Sequence, residues 1–282
     1  MKQIISNTEY SGERPLYQTS SLRLNNIIIR EGESALKECR QLDIVDSLFE
    51  GLYVLWECAD VHCVNCRFTT TSRASVWYGK RLRFTNCTIE SHKAFRELRK
   101  AKFENVKIYK GGEVFWKCFH LDINKMTINF SEYAFLQTRH SVIKNLILHG
   151  KYCFQYATDI EIHNAKLDTK DAFWNSENCT VYDSEINGEY LGWYSKNLRL
   201  VRCRISGKQP LCYAENLVLE DCTFASDADL CFEHSDVKAT VKGMITSVKN
   251  PKSGHVVADK IGELILNDQC KEPHNCQITT RQ

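Results

Sequence analysis

A repeat of 19 to 21 residues runs through most of this chain of 282 residues. Most copies open with an apolar, polar, apolar triplet such as Leu82-Arg83-Phe84, which has the two-residue period of a half-buried strand. The triplets begin at residues 22, 42, 61, 82, 101, 121, 141, 160, 179, 198, 217 and 237. A short, fixed period of this kind is typical of a solenoid, in which each copy stacks on the next.

Two positions of the repeat hold turn-type residues. The first is Asn or Asp in most copies, and these residues tolerate the left-handed backbone of a sharp bend. It comprises Asn26, Asp46, Asn65, Asn86, Asn105, Asn145, Asn164, Asp183 and Asp221, with Lys125 and Arg202 as exceptions. The second is small throughout: Gly32, Gly51, Ser72, Ser91, Gly111, Ser131, Gly150, Thr169, Gly188, Gly207 and Ser226. Each copy is therefore predicted to bend twice.

All five tryptophans occupy one further position, five residues after the second turn. This tryptophan column reads Lys37, Trp56, Trp77, Arg96, Trp116, Leu136, Gln155, Trp174, Trp193, Cys212 and Cys231. The residue just before it is almost always apolar, as in Asp171-Ala172-Phe173-Trp174. Side chains of a strand alternate between its two faces, so the apolar position is predicted to point inward and the tryptophan outward.

These patterns predict an all-β fold, a right-handed parallel β-helix of about 12 rungs. Residues 22–241 form the β-helix, residues 1–21 an N-terminal cap and residues 242–282 a C-terminal cap, in one domain overall. A leucine-rich repeat is the alternative, because Leu198 to Ile205 fits its consensus. The β-helix is preferred because a second strand-like triplet, without helical periodicity, follows the small-residue turn.

Composition excludes several functional classes. The net charge of +2 argues against broad attraction to nucleic acid or to an anionic membrane. No run of about 18 apolar residues predicts a membrane span, and the N-terminus lacks the apolar region of a secretory signal. With 14 cysteines and no such signal, we expect reduced thiols and a cytoplasmic location. No motif for a phosphate or dinucleotide cofactor is present, so no cofactor is expected.

The chain resembles a bacterial family of unknown function, domain-of-unknown-function family number 3737. The resemblance lies in Asp168 to Trp174, Gly188 to Trp193, Gln209 to Tyr213 and Ser247 to Pro251, with Gly32 to Lys37 and Arg73 to Tyr78 near the start. It implies a right-handed β-helix of bacterial, cytosolic origin and brings no activity. The wider fold is similar to that of pectate lyases and polygalacturonases, but the paired-Asp and Gly-His-Gly patterns of the latter are missing.

The tryptophan column is the candidate binding surface. Large rings beside small residues suit the apolar faces of sugar rings, and a guanidinium or an amide can bond sugar hydroxyls or carboxylates. The predicted binding residues are Trp56, Trp77, Arg96, Trp116, Gln155, Trp174 and Trp193. The alternative is that the rings stack on one another and are covered by a cap, a loop or a second copy of the chain.

Asp171 and Glu189 are the candidate catalytic residues. On adjacent rungs their backbones would lie about 6 Å apart, within the range of the carboxylate pairs of glycosidases. The structural alternative is surface charge paired with Lys170 and other lysines.

Two cysteine motifs favour packing over metal binding. Cys63 and Cys66 fall in core columns, where a free cysteine behaves as a small hydrophobe. Cys270, His274 and Cys276 supply three candidate ligands, one short of a closed structural site. No metal site is predicted.

The sequence therefore predicts a non-catalytic binding or scaffold protein that uses its tryptophan face for an oligosaccharide or for a homodimer. The alternative is a carbohydrate-active enzyme, a polysaccharide lyase or a glycoside hydrolase, that acts through Asp171 and Glu189.

Overall fold

The structure is a computed structural model that describes residues 2–270 and 275–281. These residues form strands, turns and bends, and no helix occurs among them. The described chain thus contains no helix that is long and apolar enough to cross a membrane. The chain divides into two compact units, residues 1–147 and residues 148–282, each of which is described by itself.

The first unit is a stack of parallel strands. Its strands are Gln3–Ser6, Glu9–Tyr10, Leu22–Asn25, Ile28–Ile29, Arg40–Val45, Leu48–Phe49, Ala59–Val64, Arg67–Phe68, Val76–Trp77, Lys80–Thr85, Thr88–Ile89, Phe95–Arg96, Arg99–Ile108, Gly112–Val114 and Phe119–Ala134. Each pairs with the equivalent strand one repeat away, so that Phe84 lies opposite Cys63 on one side and Phe103 on the other. One turn of the chain is therefore one rung of a β-helix, as predicted.

The second unit has the same construction. Strand Arg139–Lys151 ends in it, and its other strands are Thr158–His163, Lys166–Lys170, Thr180–Tyr182, Glu185–Asn187, Arg199–Val201, Arg204–Ser206, Leu217–Phe224, Asp236–Val241, Met244–Lys249, Ser253–Ala258, Lys260–Ile265 and Cys276–Thr280. Val181 lies between Ile162 and Leu200 in parallel register. The β-helix is thus confirmed in both units.

The first turn column adopts the left-handed backbone that its Asn and Asp residues predict. Asn65, Asn86 and Asn105 each have φ of 53°. The Asn105 side-chain amide also donates a hydrogen bond of 2.8 Å to Oδ1 of Asn86 on the previous rung. Lys125 and Arg202, the two exceptions in sequence, bend in the same way, with φ of 56° and 52°. The bend is therefore imposed by the stack even where the residue does not favour it.

The apolar column points into the core, as predicted. Phe95, Phe115 and Phe135 are fully buried in the first unit, and Phe173 in the second. The rings of Phe95 and Phe115 stack at 5.0 Å, and those of Phe115 and Phe135 at 4.8 Å. Burial of a side chain this large contributes roughly 2–3 kcal/mol, so this column supplies much of the core of the first unit.

The second half of the rung is a strand in only some copies. The predicted strand is present at Val76–Trp77 and Phe95–Arg96. It is absent around Trp56 and Trp174, where the chain makes successive turns. Around Trp174, alternate residues have a left-handed backbone, as at Phe173 with φ of 60°. This conformation curls the chain, whereas the backbone of a strand is extended. Hydrogen bonds between rungs are retained.

The segments predicted to cap the ends both add rungs. Gln3–Ser6 pairs with Leu22–Asn25, so the described residues of the predicted N-terminal cap extend the stack. The pattern missed this rung because the polar residue Gln3 stands where most later copies carry an apolar residue. At the other end, Ser253–Ala258 pairs with Asp236–Val241 and with Cys276–Thr280. The steps there depart from 19 to 21 residues, which hides them from a fixed period.

Candidate functional site

Four predicted binding residues of the first unit form one continuous stack, here called the Trp–Arg ladder: Trp56, Trp77, Arg96 and Trp116. The indoles of Trp56 and Trp77 stack at 5.3 Å with an interplanar angle of 9°. The Arg96 guanidinium lies between two rings, 4.9 Å from that of Trp77 and 4.7 Å from that of Trp116. Cation–π contacts of this kind contribute about 0.5–2 kcal/mol each. Contacts among its own side chains therefore stabilise the Trp–Arg ladder.

The indole N–H groups are mostly used within the fold. Nε1 of Trp56 donates to the carbonyl oxygen of Ala74, and Nε1 of Trp77 to that of Lys93, both at 2.7 Å. Nε1 of Trp116 is buried, and no described residue accepts its hydrogen bond. Because both faces of Trp77 are covered by Trp56 and Arg96, Trp77 offers a ligand the edge of its ring and not its faces.

A groove of about 510 Å³ runs beside the ladder. This ladder groove is lined by Tyr78, Lys80, Glu97, Arg99, Lys117, Cys118, Phe119, Gln137 and Arg139. Its lining residues come one to three positions after the tryptophan column, where each rung turns into its next strand. Lys80, Arg99 and Arg139 are the first residues of their strands; Lys80 and Arg99 lie on adjacent rungs, and Arg139 lies two rungs beyond Arg99.

The ladder groove combines aromatic and charged side chains. Tyr78 is 41% exposed, and Phe119 is half-buried. Four cations line the groove, whereas Glu97 is its one carboxylate. That carboxylate lies 3.3 Å from Nε of Arg96, which ties the groove to the ladder. The arrangement can therefore hold a ligand that is partly apolar and partly anionic.

The predicted binding residues of the second unit lie in a separate aromatic cluster. Trp174 and Trp193 stack at 5.5 Å, and Tyr213 meets Trp193 edge-on at 5.2 Å. Nε1 of Trp193 donates to the carbonyl oxygen of Gln209 at 2.7 Å. Gln155 is half-buried, on the rung before Trp174. In this cluster, too, the aromatic rings cover much of one another's surface.

Asp171 and Glu189 lie on adjacent rungs, as predicted, because the Asp171 amide donates to the Glu189 carbonyl oxygen at 2.9 Å. Asp171 is only 6% exposed. Burial raises the pKa of its carboxyl group, an effect that Lys170 opposes and Glu189 adds to. Glu189 instead lies 3.7 Å from Nζ of Lys170, in a half-exposed ion pair. The two carboxyl groups therefore have different environments.

The cysteines lie mainly in the core. All 14 are free thiols, and 12 are buried, including Cys63 and Cys66. Cys270 and Cys276 are half-buried, whereas His274 lies outside the described residues. Within the part of the chain that the structure describes, no group of three His, Cys, Asp or Glu side chains is placed to hold a metal ion.

The ladder groove was not predicted from the sequence. Three of its four cations stand in a column three residues after the tryptophan column, which reads Arg40, Ala59, Lys80, Arg99, Phe119 and Arg139. The same alignment of repeats contains that column, so its excess of positive charge could have been found. The groove itself could not have been found in this way, because its shape depends on how far each rung turns before its next strand begins.

Solved structures with a similar arrangement include carbohydrate-active enzymes and a pentapeptide-repeat protein. The A-module of mannuronan C-5 epimerase AlgE4 from Azotobacter vinelandii is 9% identical over 99% of this chain and 89% of its own, with a TM-score of 0.37. HetL, a pentapeptide-repeat protein from the cyanobacterium Nostoc, is 12% identical over 77% of this chain and 86% of its own, with a TM-score of 0.27. At these values the likeness has no bearing on function.

The chain has no match among curated proteins. A family profile, by contrast, matches almost the whole of it, from residue 3 to residue 279. The chain therefore belongs to the family described as "Protein of unknown function (DUF3737)".

Proposed function

We propose that this chain is a non-catalytic binding protein that holds a linear oligosaccharide in the ladder groove. The observation that supports the proposal is an open groove of about 510 Å³ that follows successive rungs and has aromatic side chains in its wall. A groove built by stacking presents similar groups at regular intervals, which suits a polymer with a repeating unit. Tyr78 and Phe119 offer apolar surface for sugar rings, and Gln137 offers hydrogen bonds to hydroxyls.

The composition of the groove favours binding over catalysis. Glycosidases use two carboxyl groups that flank the scissile bond, about 5–9.5 Å apart. Only one carboxylate, that of Glu97, lines the ladder groove, and Arg96 already holds it. Among the groups that line the groove there is thus no second carboxylate to complete the pair.

The test is a titration of the protein with linear oligosaccharides, followed by calorimetry. Tyr78→Ala and Phe119→Ala should each weaken binding by roughly tenfold, because each removes an apolar surface from the groove. Tyr156→Ala is the matched control, since Tyr156 occupies the repeat position of Tyr78 in the second unit and is 49% exposed. The proposal is wrong if no linear oligosaccharide binds, or if Tyr156→Ala weakens binding as much as Tyr78→Ala does.

A carbohydrate-active enzyme is the second candidate, and the environment of Asp171 favours it. A general acid needs a carboxyl group that stays protonated near neutral pH, and burial raises the pKa of Asp171 in that direction. Glu189, on the adjacent rung, would act as the ionised partner. If Asp171 is the acid, Asp171→Asn abolishes polysaccharide cleavage. Cleavage that survives both Asp171→Asn and Glu189→Gln would remove this assignment.

A homodimer through the tryptophan face stays a prediction. The aromatic cluster of the second unit is its natural location, because Tyr194 there is 43% exposed and stacks on Tyr213 at 5.0 Å. Light scattering on the wild-type chain and on Trp193→Ala tests it. A dimeric wild type beside a monomeric variant supports self-association, and a monomeric wild type refutes it.

A further inference from the structure

We infer that the ligand of the ladder groove is anionic, a linear oligosaccharide with a carboxylate or a sulfate on its sugar units. The inference rests on the proposed function and adds the chemical class of the ligand. It is carried by four cations of the groove: Lys80, Arg99, Lys117 and Arg139.

None of the four cations has an ion-pair partner among residues 2–270 and 275–281. All four are exposed. Some charges on neighbouring rungs of the same unit are matched, as where Nε of Arg81 lies 2.6 Å from a carboxylate oxygen of Asp60. The described lining of the ladder groove instead brings four cations together with one carboxylate, that of Glu97, which already pairs with Arg96.

Two of these cations are also placed directly against each other. Lys80 and Arg99 are paired residues of adjacent strands, so that their backbones lie about 4.8 Å apart. Like charges directly opposite one another on neighbouring strands destabilise the pairing. An anion bound between the two side chains would remove this repulsion. Binding of such a ligand should therefore stabilise the folded chain.

The repeat does not impose this charge. At the same position in the second unit, Glu177, Lys196 and Glu215 lie on successive rungs. Their signs alternate, and Nζ of Lys196 lies 3.3 Å from a carboxylate oxygen of Glu215. In the second unit, the charges of this column thus neutralise one another, whereas in the first unit the column carries a positive charge.

The spacing of the cations matches an extended ligand. Lys80, Arg99 and Arg139 share one column and span three steps between rungs, roughly 14 Å at 4.8 Å per step. Phe119 stands between Arg99 and Arg139 in the same column. A chain of sugar units along the groove would therefore meet cations at either end and an aromatic ring between them. The planar guanidinium groups can bond carboxylates or sulfates through two parallel hydrogen bonds.

A nucleic acid fits these observations less well. Proteins that bind nucleic acids present a broad basic face and a high overall positive charge. Here the net charge is only +2, because 37 Lys and Arg nearly balance 35 Asp and Glu. We therefore assign the groove to an anionic saccharide.

One sugar backbone provides all the probes for the test. Cellohexaose is neutral, hexaglucuronate carries a carboxylate in place of each primary alcohol, and 6-sulfated cellohexaose carries a sulfate there. A six-residue oligothymidylate supplies a polyanion without sugar rings of this kind. Binding of each to the full chain is measured by calorimetry at 50 mM and 200 mM salt.

The inference predicts that one of the anionic hexamers binds at least about tenfold more tightly than cellohexaose at the lower salt. The higher salt should weaken anionic binding several-fold, because the exposed cations are screened. Arg99→Gln and Arg139→Gln should each weaken it by about tenfold. Arg204→Gln is the matched control, an exposed arginine of the second unit without a described ion pair, and should have no effect.

The remaining outcomes separate the inference from the proposed function. If cellohexaose binds as tightly as the anionic hexamers and Tyr78→Ala weakens it, the groove holds a neutral saccharide, and only the inference fails. If no hexamer binds, the proposed function fails as well. If oligothymidylate binds as tightly as hexaglucuronate, the groove recognises charge alone, which also overturns both.

Discussion

Asp171 has surroundings that differ strongly from those of an ordinary surface carboxylate. It is almost fully buried, it takes a left-handed backbone with φ of 53°, and no described side chain donates a hydrogen bond to its carboxylate. Burial raises its pKa. The sequence identified Asp171 as notable from its place in a recurrent motif. It did not reveal this burial, which depends on how closely the next rung approaches.

The first prediction concerns the contribution of Asp171 to stability. Between the ordinary pKa of 3.8 and the raised one, the native chain holds a proton that the unfolded chain has lost. The free energy of unfolding therefore falls as pH rises through the raised pKa. Asp171→Asn removes the buried charge, so it should raise the free energy of unfolding at pH 7. The gain should shrink as pH falls toward 3.8.

Urea denaturation of both proteins at pH 7 and pH 4 measures this difference. Asp168→Asn is the control, since Asp168 is exposed and accepts a hydrogen bond of 2.9 Å from Asn187. A variant Asp171→Asn that is less stable than the wild type at pH 7 would show that the ionised carboxylate stabilises the fold.

The turns of each rung were predictable because their requirement is local. A left-handed bend favours Asn, and Asn fills most of the column, so sequence and structure agree at positions such as Asn86. The left-handed residues of the tryptophan side were not predictable. Phe115 and Phe173 take φ of 58° and 60° although bulky residues disfavour this region by about 1–2 kcal/mol. Burial of each ring outweighs that cost, and only the assembled rung shows it.

The second prediction concerns two substitutions in the first turn column, one expected to destabilise the fold and the other to stabilise it. Asn105→Ala should destabilise the fold by about 1–2 kcal/mol, since alanine disfavours φ of 53° and the hydrogen bond to Asn86 is lost. Lys125→Asn, at the same position one rung later, should stabilise it by about 0.5–1 kcal/mol. Thermal or urea unfolding measures both changes. The two variants should differ in sign, and an equal loss of stability in both would contradict a role for backbone conformation.

At the scale of the whole molecule, the repeat predicted the β-helix and the inward and outward columns. It missed the rung of residues 1–21 and those near the C-terminus, because side chains and step lengths there depart from the pattern. The ladder groove was missed for a different reason. In sequence, Lys80 and Arg99 look like ordinary surface residues, and only the structure shows that they are paired on adjacent strands without an ion pair to a described residue.

The third prediction tests the burial of the cysteine columns. Twelve of the 14 thiols are buried, and burial raises the pKa of residues such as Cys118 and Cys153 to about 12. The thiolate is the reactive form, so these side chains should resist modification at pH 8. A thiol-specific reagent should label Cys270 first in the native chain, should label Cys276 more slowly because burial raises the pKa of its thiol to about 11, and should label all 14 cysteines in denaturant. Rapid labelling of many thiols without denaturant would contradict a packed core.

The most direct test of the ladder groove is a titration of the protein with hexaglucuronate, followed by the NMR signals of the tryptophan indole N–H groups. The chain has five tryptophans, and single Trp→Phe variants assign their signals. Trp77 and Trp116 hold Arg96 between them beside the groove, so their signals should shift with a saturable dependence on ligand. The signals of Trp174 and Trp193, in the second unit, should stay in place. Shifts confined to Trp174 and Trp193, or no shift at any ligand concentration, would contradict binding in the ladder groove.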